Sequence, residues 1–462
     1  MNLFIHHRDI RFEDNTTMIK QMQEEHNIIP IFIFDPIQID PKKNSYFSNG
    51  FVQFMIESLK EYQKLLHKKK GEIYFFYGDT LDVLKYLHKK FVINSIGFNY
   101  EYSVFGKKRD ENIIKFSNKN NIKIYCLEDV LLFDLLNGET LNPTTKKPFL
   151  VYTIYYNYLM KMKVREVNKY KKFIFAKHND LKTCKYSFDN LDSLYEINPD
   201  INVHGGRSLA LKILKNLKKF GNYIKCRDML NYKTTMLSAY INLNLVSIRE
   251  VYYSIVNTFD KHHGLVRELI FREYYHTLVH YYPQVTHGNF YPKFDKVKWT
   301  NNTHYFNSWC NAKTGYPIID AAMTQIIKTN YMHNRMRMMV ASFLIKNLQV
   351  DWRKGEKFFA QHLEDYNIFS NWGGWTNIAD ASPSAQSYFR VFSPEAHSRK
   401  YDPECEYIKY WLPELKDVPI EDIHSWERNY EKYLKQGIKY YPPIVEFSKT
   451  RDEFLKFYKK YQ

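Results

Sequence analysis

The sequence predicts an α/β domain built on a doubly wound parallel sheet, followed by an all-α domain. Five short apolar runs alternate with amphipathic segments in the first third of the chain. Helical periodicity takes over from about residue 204 and does not let go. The length, 462 residues, is too great for one small domain.

In the first third, NLFIHH, IIPIFIFD, EIYFFYG, SIGFNY and IKIYCLED read as buried strands. Between them, residues 47–70 carry Phe51, Met55 and Leu59 at helical spacing, and residues 79–90 carry Leu81, Leu84 and Leu87. Strand–helix alternation implies a parallel sheet over residues 1–130. No GxGxxG follows any of these runs and no GxxxxGK[ST] occurs, so the dinucleotide and nucleoside-triphosphate fingerprints are absent.

Residues 131–203 read as a connector. Within it, residues 161–186 are rich in Lys and poor in periodic pattern, which predicts surface loop. The triplet Lys68, Lys69 and Lys70 predicts a solvated helix end rather than a binding patch. Residues 204–462 form the helical domain. RSLALKILKNLKKF, after Gly205 and Gly206, places Leu209, Ile213 and Leu217 in register. YIKCRDML, TTMLSAYINLNLVSIREV and GLVRELIFREYYHTLVHYYP continue the pattern. The first half of 313–375 predicts long helix, with Ile318, Ala322 and Ile326, then Met338, Ala341 and Ile345; NWGGW at 371–375 predicts a glycine-containing turn.

Lys and Arg number 67 against 50 acidic residues, a net charge of +17 that favours a polyanionic partner, nucleic acid before membrane surface. Five separated Cys without a CxxC pair argue for a reducing compartment and against disulfides or a Cys-based zinc site. His276 and His280 share a helix face, but HTLVH lacks the glutamate of HExxH, so no metal is expected. With no signal-peptide core and no bilayer-length apolar run, a soluble intracellular protein with no membrane partner is expected. The sequence does not choose between nucleus and cytoplasm.

Some residues carry chemistry in their own right. Thr234, Thr235, Met236, Leu237 and Ser238 form a hydroxyl-rich turn opening a helix, which alone reads as an N-cap. Glu268 and Arg272 stand one turn apart, the spacing of an ordinary ion pair. His333 reads as a structural residue.

These motifs, with VKWT, MHNRMRM, DWRKGE and NWGGW, together resemble the photolyase/cryptochrome family, and most closely the class I photolyases that act on cyclobutane pyrimidine dimers. The resemblance covers nearly the whole chain, is strongest over 223–410, and takes in HRDIRFEDN after the first strand and KPFLVYTIYYNY at the connector. It implies an N-terminal antenna domain, a C-terminal domain holding FAD, UV-damaged DNA as partner, and a monomer. It also implies light-driven repair by electron transfer from reduced FAD. Cryptochrome-like photoreception and action on the (6-4) lesion are the alternatives.

Residue by residue, the resemblance implies that Tyr223, Thr234, Thr235, Met236, Leu237, Ser238, Arg272, Asn334, Arg337, Asp365, Tyr366, Asn367 and Asn371 contact FAD. Arg337 would pair with Asp365, and Asn371 would face flavin N5. Glu268 and Met338 would contact the lesion. Arg227, Glu268, Phe271, Arg272, Tyr275, Asn334 and Arg335 would face DNA, with Lys225 and Lys400 on the same basic surface. Trp299, Trp352 and Trp375 would relay an electron from the surface to the flavin.

Two departures stand out. The family pattern has two tryptophans clamping the flipped dimer where this chain has Phe271 and Asn377, with Trp372 and Tyr388 as neighbours able to replace the second wall. Phe105 and Gly106 replace an Asn–Glu pair that binds a folate antenna, leaving a deazaflavin, a second flavin or no antenna.

Overall fold

All five apolar runs form strands: β1 (Asn2–His6), β2 (Ile29–Phe34), β3 (Tyr74–Tyr77), β4 (Ser95–Asn99) and β5 (Lys123–Leu127). In this computed structural model, which describes residues 1–383 and 389–461, every strand pairing is parallel and the order is β3-β2-β1-β4-β5. Leu3 of β1 pairs with Ile29 on one side and Ile96 on the other. Both faces must then be covered, which is why β1, β2 and β4 are buried at every position. Side-chain caps start the flanking helices: Asn15 for Thr16–Glu25, Ser48 for Asn49–Lys68, Asp79 for Thr80–Lys90 and Ser103 for Val104–Lys119.

The chain divides into two compact units. One comprises residues 1–198, 203–221 and 235–283; the other comprises 199–202, 222–234 and 284–462. In the first, Arg11 and Arg249 converge on buried Asp129, and Arg249 also reaches Asp14 at 2.9 Å. Burial alone would raise the Asp129 carboxyl, but the two guanidinium groups hold it down to about 2.

The long helix expected after residue 313 is broken in the second unit. Pro317–Thr329 ends at Asn330, whose left-handed backbone (φ 58°) stops propagation. Asn334–Ser342 then restarts on the His333 cap and passes into a π-turn, Phe343–Asn347. Two further helices follow, Trp352–His362 and Ile368–Ile378. NWGGW is therefore helical, not a turn. Asn367 caps that helix and buried Phe369, Trp372 and Trp375 anchor it, so packing overrides the glycine penalty.

Residues 161–186 are loop, as expected, apart from a short 3-10 turn at Asn179–Thr183. All five cysteines are free. Among the described residues no helix is long and apolar enough to cross a membrane, and no cluster of His, Cys, Asp and Glu could hold a metal ion.

Candidate functional site

In the first unit, the helix Gly264–Tyr281 places Glu268, Phe271, Arg272 and Tyr275 at i, i+3, i+4 and i+7, a single stripe. All four are half-buried, while Leu269, Ile270, Glu273 and Tyr274 on the other faces are buried. Phe271 stacks on Tyr152 with centroids 3.5 Å apart and planes 10° from parallel. Tyr152 is itself fixed: its hydroxyl donates to the Arg267 carbonyl at 3.0 Å, and the Arg267 guanidinium stands 5.7 Å from its ring centre. The ordinary i,i+4 pair that the Glu268–Arg272 spacing would allow is not present among the described residues. Arg272 instead donates to the Val130 carbonyl at 3.0 Å and lies 3.7 Å from Glu273.

Glu273 accepts from the Leu132 N–H with both oxygens at 3.1 Å, and burial pushes its carboxyl up to about 8 against the pull of Arg272. Arg272 and Glu273 thus tie the helix to the segment after β5. Among the described residues no side chain caps the helix Ser238–Asn242, so the hydroxyl-rich turn is not the simple N-cap its composition suggests. Met236 in that turn has left-handed backbone (φ 54°), Leu237 is buried and Ser238 is exposed.

In the second unit, His333 is a buried cap, its Nδ1 accepting from the Arg335 N–H at 3.1 Å, and burial pushes its pKa down to about 4. It is structural, as expected. On the helix it starts, Asn334 is exposed and Arg337 and Met338, at i+3 and i+4, are half-buried. The expected Arg337–Asp365 pair is present at 3.0 Å, and Arg337 Nε donates to the Met332 carbonyl at 2.9 Å. Arg335 pairs with Asp228 at 2.7 Å and covers Tyr401, which Lys400 also approaches; Arg227 covers Tyr223. Three of the four expected basic residues therefore lie against two tyrosines, Arg227 at Tyr223 and Arg335 and Lys400 at Tyr401.

Asn367, Asn371, Gly374 and Asn377 form the open stripe of Ile368–Ile378 and its cap. Asn371 donates through Nδ2 to the Glu356 backbone carbonyl at 3.1 Å and to Glu356 Oε1 at 2.9 Å, and the Tyr366 hydroxyl donates to that same oxygen at 3.3 Å. Glu356 therefore fixes the direction of the Asn371 amide. It stands inside DWRKGE, a motif whose sequence signal is its tryptophan. A Cβ at Gly374 would meet nothing within 4 Å, so a flat ring system can approach the backbone there, beside three amides. These residues suit FAD: amides that could pair with the heteroatoms of a ring, beside an uncrowded glycine.

Exposure falls along the three tryptophans. Trp299 is half-buried against Phe457 and Tyr458; Trp352 is buried, its Nε1 donating to Asn289 Oδ1 at 3.0 Å; Trp375 is buried. Their rings do not touch one another among the described residues. Trp375 instead meets Trp309 edge-on, centroids 6.3 Å apart at 71°, and Phe359 at 5.0 Å. Trp309 carries no sequence signal beyond its being a tryptophan. Gly355 is required beneath Trp375, since a Cβ there would overlap the indole. Of the two neighbours that could replace the missing dimer wall, Trp372 is buried with its Nε1 toward the Gly288 carbonyl, which removes it. Tyr388 lies outside the described residues. At the antenna position, the Glu101 side chain lies where a Cβ on Gly106 would be, and Arg109 covers Phe105.

Residues 2–171 match the family model described as DNA photolyase, and residues 265–460 match the FAD binding domain of DNA photolyase. A deoxyribodipyrimidine photo-lyase of Buchnera aphidicola subsp. Baizongia pistaciae is 30% identical over 99% of this chain and 98% of its own. The Escherichia coli photo-lyase is 42% identical over 42% of this chain and 41% of its own. Among solved structures, the archaeal photolyase from Sulfolobus tokodaii, which holds two FAD molecules, aligns over 100% of both chains with TM-score 0.86 and 34% identity. A Synechocystis cryptochrome shares the fold, with TM-score 0.89 at 22% identity over 99% of both chains. With both domains matched and the relatives covered nearly end to end, the chain belongs to the DNA photolyase family of FAD-binding DNA-repair enzymes.

Proposed function

We propose that this chain repairs cyclobutane pyrimidine dimers in DNA by light-driven electron transfer. The observation that carries this reading is the placement of Glu268 and Phe271 on one half-exposed stripe, with Phe271 flat against Tyr152. An aromatic face gives a flipped base something to stack on, and a carboxyl one turn away can hydrogen-bond its edge. FAD, when bound and reduced, would supply the single electron that opens the two cyclobutane bonds and is afterwards returned. In this reading Asn371, oriented by Glu356, holds the flavin edge, and Arg337 with Asp365 keeps a fixed charge pair beside it. Trp299, Trp352 and Trp375 carry an electron inward to restore the reduced cofactor. The protein acts as an intracellular monomer, and a second flavin, as held by the Sulfolobus tokodaii relative, is the antenna this reading prefers.

The decisive experiment illuminates photoreduced protein with a thymine-dimer oligonucleotide and measures restored thymines against a dark control. Light-dependent restoration is expected. Its absence with FAD bound and reduced would move the reading to the (6-4) lesion or to photoreception. Glu268→Ala should lower the yield of repair per photon with FAD retained; an unchanged yield would remove Glu268 from the mechanism.

A further inference from the structure

Two lysine runs that the sequence leaves as unrelated solvated segments meet in the first unit. One is the end of the helix Asn49–Lys68 with Lys69 and Lys70; the other is the loop carrying Lys169, Lys171 and Lys172. An aromatic cluster joins them. Phe173 and Phe175 stack at 5.9 Å, both pack on Phe12, and the Lys69 ammonium lies 6.0 Å from the centre of the Phe12 ring. Phe175 also sits against Gly71, where an added Cβ would overlap the Phe175 side chain. The loop is pinned at both ends: the Asn168 N–H donates to Asp14 Oδ1 at 2.7 Å, and the Ala176 N–H donates to the Ile28 carbonyl at 2.8 Å.

The six lysines 68, 69, 70, 169, 171 and 172 are all exposed, and none has an ion pair among the described residues. The acids flanking these segments are engaged elsewhere. Glu72 pairs with Lys182, Glu166 with Lys163, Glu13 with Arg207, and Glu24 with Lys20 and Lys123. The patch is therefore a held, uncompensated concentration of positive charge, on elements other than the helix bearing Glu268 and Phe271.

We infer that this patch is a second DNA contact, one that grips the phosphate backbone of duplex DNA without reading its sequence. Ammonium groups suit phosphates as point charges and carry no base specificity. A duplex is favoured over a single strand because the exposed groups are the ammoniums: Phe175 is buried, and Phe173 and Tyr170 are half-buried and packed edge-on at 5.1 Å, so the surface offers phosphate contacts before base stacking. The inference rests on DNA being the substrate of this family, but not on which lesion is repaired.

The test compares the full-length protein with Lys68→Gln, Lys69→Gln, Lys171→Gln and Lys172→Gln combined, after circular dichroism has shown both folded. Binding to a long undamaged duplex is measured across a salt series. The variant should bind roughly tenfold or more weakly at moderate salt, with its salt slope shallower by up to about 3.6, near 0.9 for each of the four phosphates that are no longer neutralised. Repair of a dimer in an oligonucleotide too short to reach the patch should be unchanged. An unaltered slope and affinity would overturn the inference. So would loss of binding to polyglutamate or to phosphatidylserine vesicles while duplex binding persists, which would assign the patch to an acidic protein or a membrane surface. Because the duplex is undamaged, failure of lesion repair in both proteins would speak against the proposed function and leave this result readable.

Discussion

Phe271 lies flat on Tyr152, centroids 3.5 Å apart, whereas Trp375 meets Trp309 edge-on at 71° and 6.3 Å. The first pair is half-open, with a guanidinium beside it and charged residues along the same helix face. The second is buried among Phe358, Phe359 and the π-turn helix, with the Trp309 Nε1 donating to the Val340 carbonyl at 3.0 Å. An exposed, backed ring can accept another ring on its free face. A buried ring whose N–H already has a partner can exchange nothing with solvent but an electron. The residue class is the same; burial and orientation set the two pairs apart, and the proposed function assigns recognition to the open pair and electron transfer to the buried one.

Breaking the buried set should give the largest effect. Trp375→Phe and, separately, Trp352→Phe should each slow photoreduction of oxidised FAD by orders of magnitude while sparing repair by enzyme reduced beforehand. Transient absorption separates the two steps, and photoreduction at the parent rate would show that the electron travels another way. Breaking the open pair should cost less and act on binding. Phe271→Ala should weaken affinity for a dimer-containing strand by about 1–3 kcal/mol with photoreduction unchanged. Equal affinity, read by fluorescence anisotropy, would mean that Phe271 does not touch the lesion.

The smallest effect sharpens the comparison by probing the anchor of the helix that carries Phe271. The Glu273 carboxyl is raised to about 8 in the fold, chiefly by burial. Below pH 4.5 it is protonated whether folded or not. Between about 4.5 and 8 the unfolded chain releases a proton that the folded chain keeps, so stability falls as pH rises through that window. Glu273→Gln, which keeps an acceptor for Leu132, should flatten this part of the stability profile in thermal melts. The same fall in the variant would place the titrating group elsewhere.

Strands were the most legible part of the fold because an all-parallel sheet leaves each strand a continuous apolar run. NWGGW misled because its two glycines signal a turn locally, while the buried Trp372 and Trp375 faces that hold it helical are tertiary. The Arg337–Asp365 pair was legible through a long ordered motif. Glu356, Tyr152 and Trp309 were not, since each acts on a partner 15 to 119 residues away and carries no local pattern. The Glu268–Arg272 spacing suggested a pair that the Val130 carbonyl and Glu273 outcompete.

Gly355 has no redox chemistry and no polar side chain, yet the indole of Trp375 occupies the volume any larger residue would need, with Leu344 closing in at 2.7 Å. A random mutagenesis library screened for blocked photoreduction should therefore return substitutions at position 355 alongside the tryptophans themselves. If the proposed relay holds, the heritable record of the electron path is written partly in a residue that can never carry an electron.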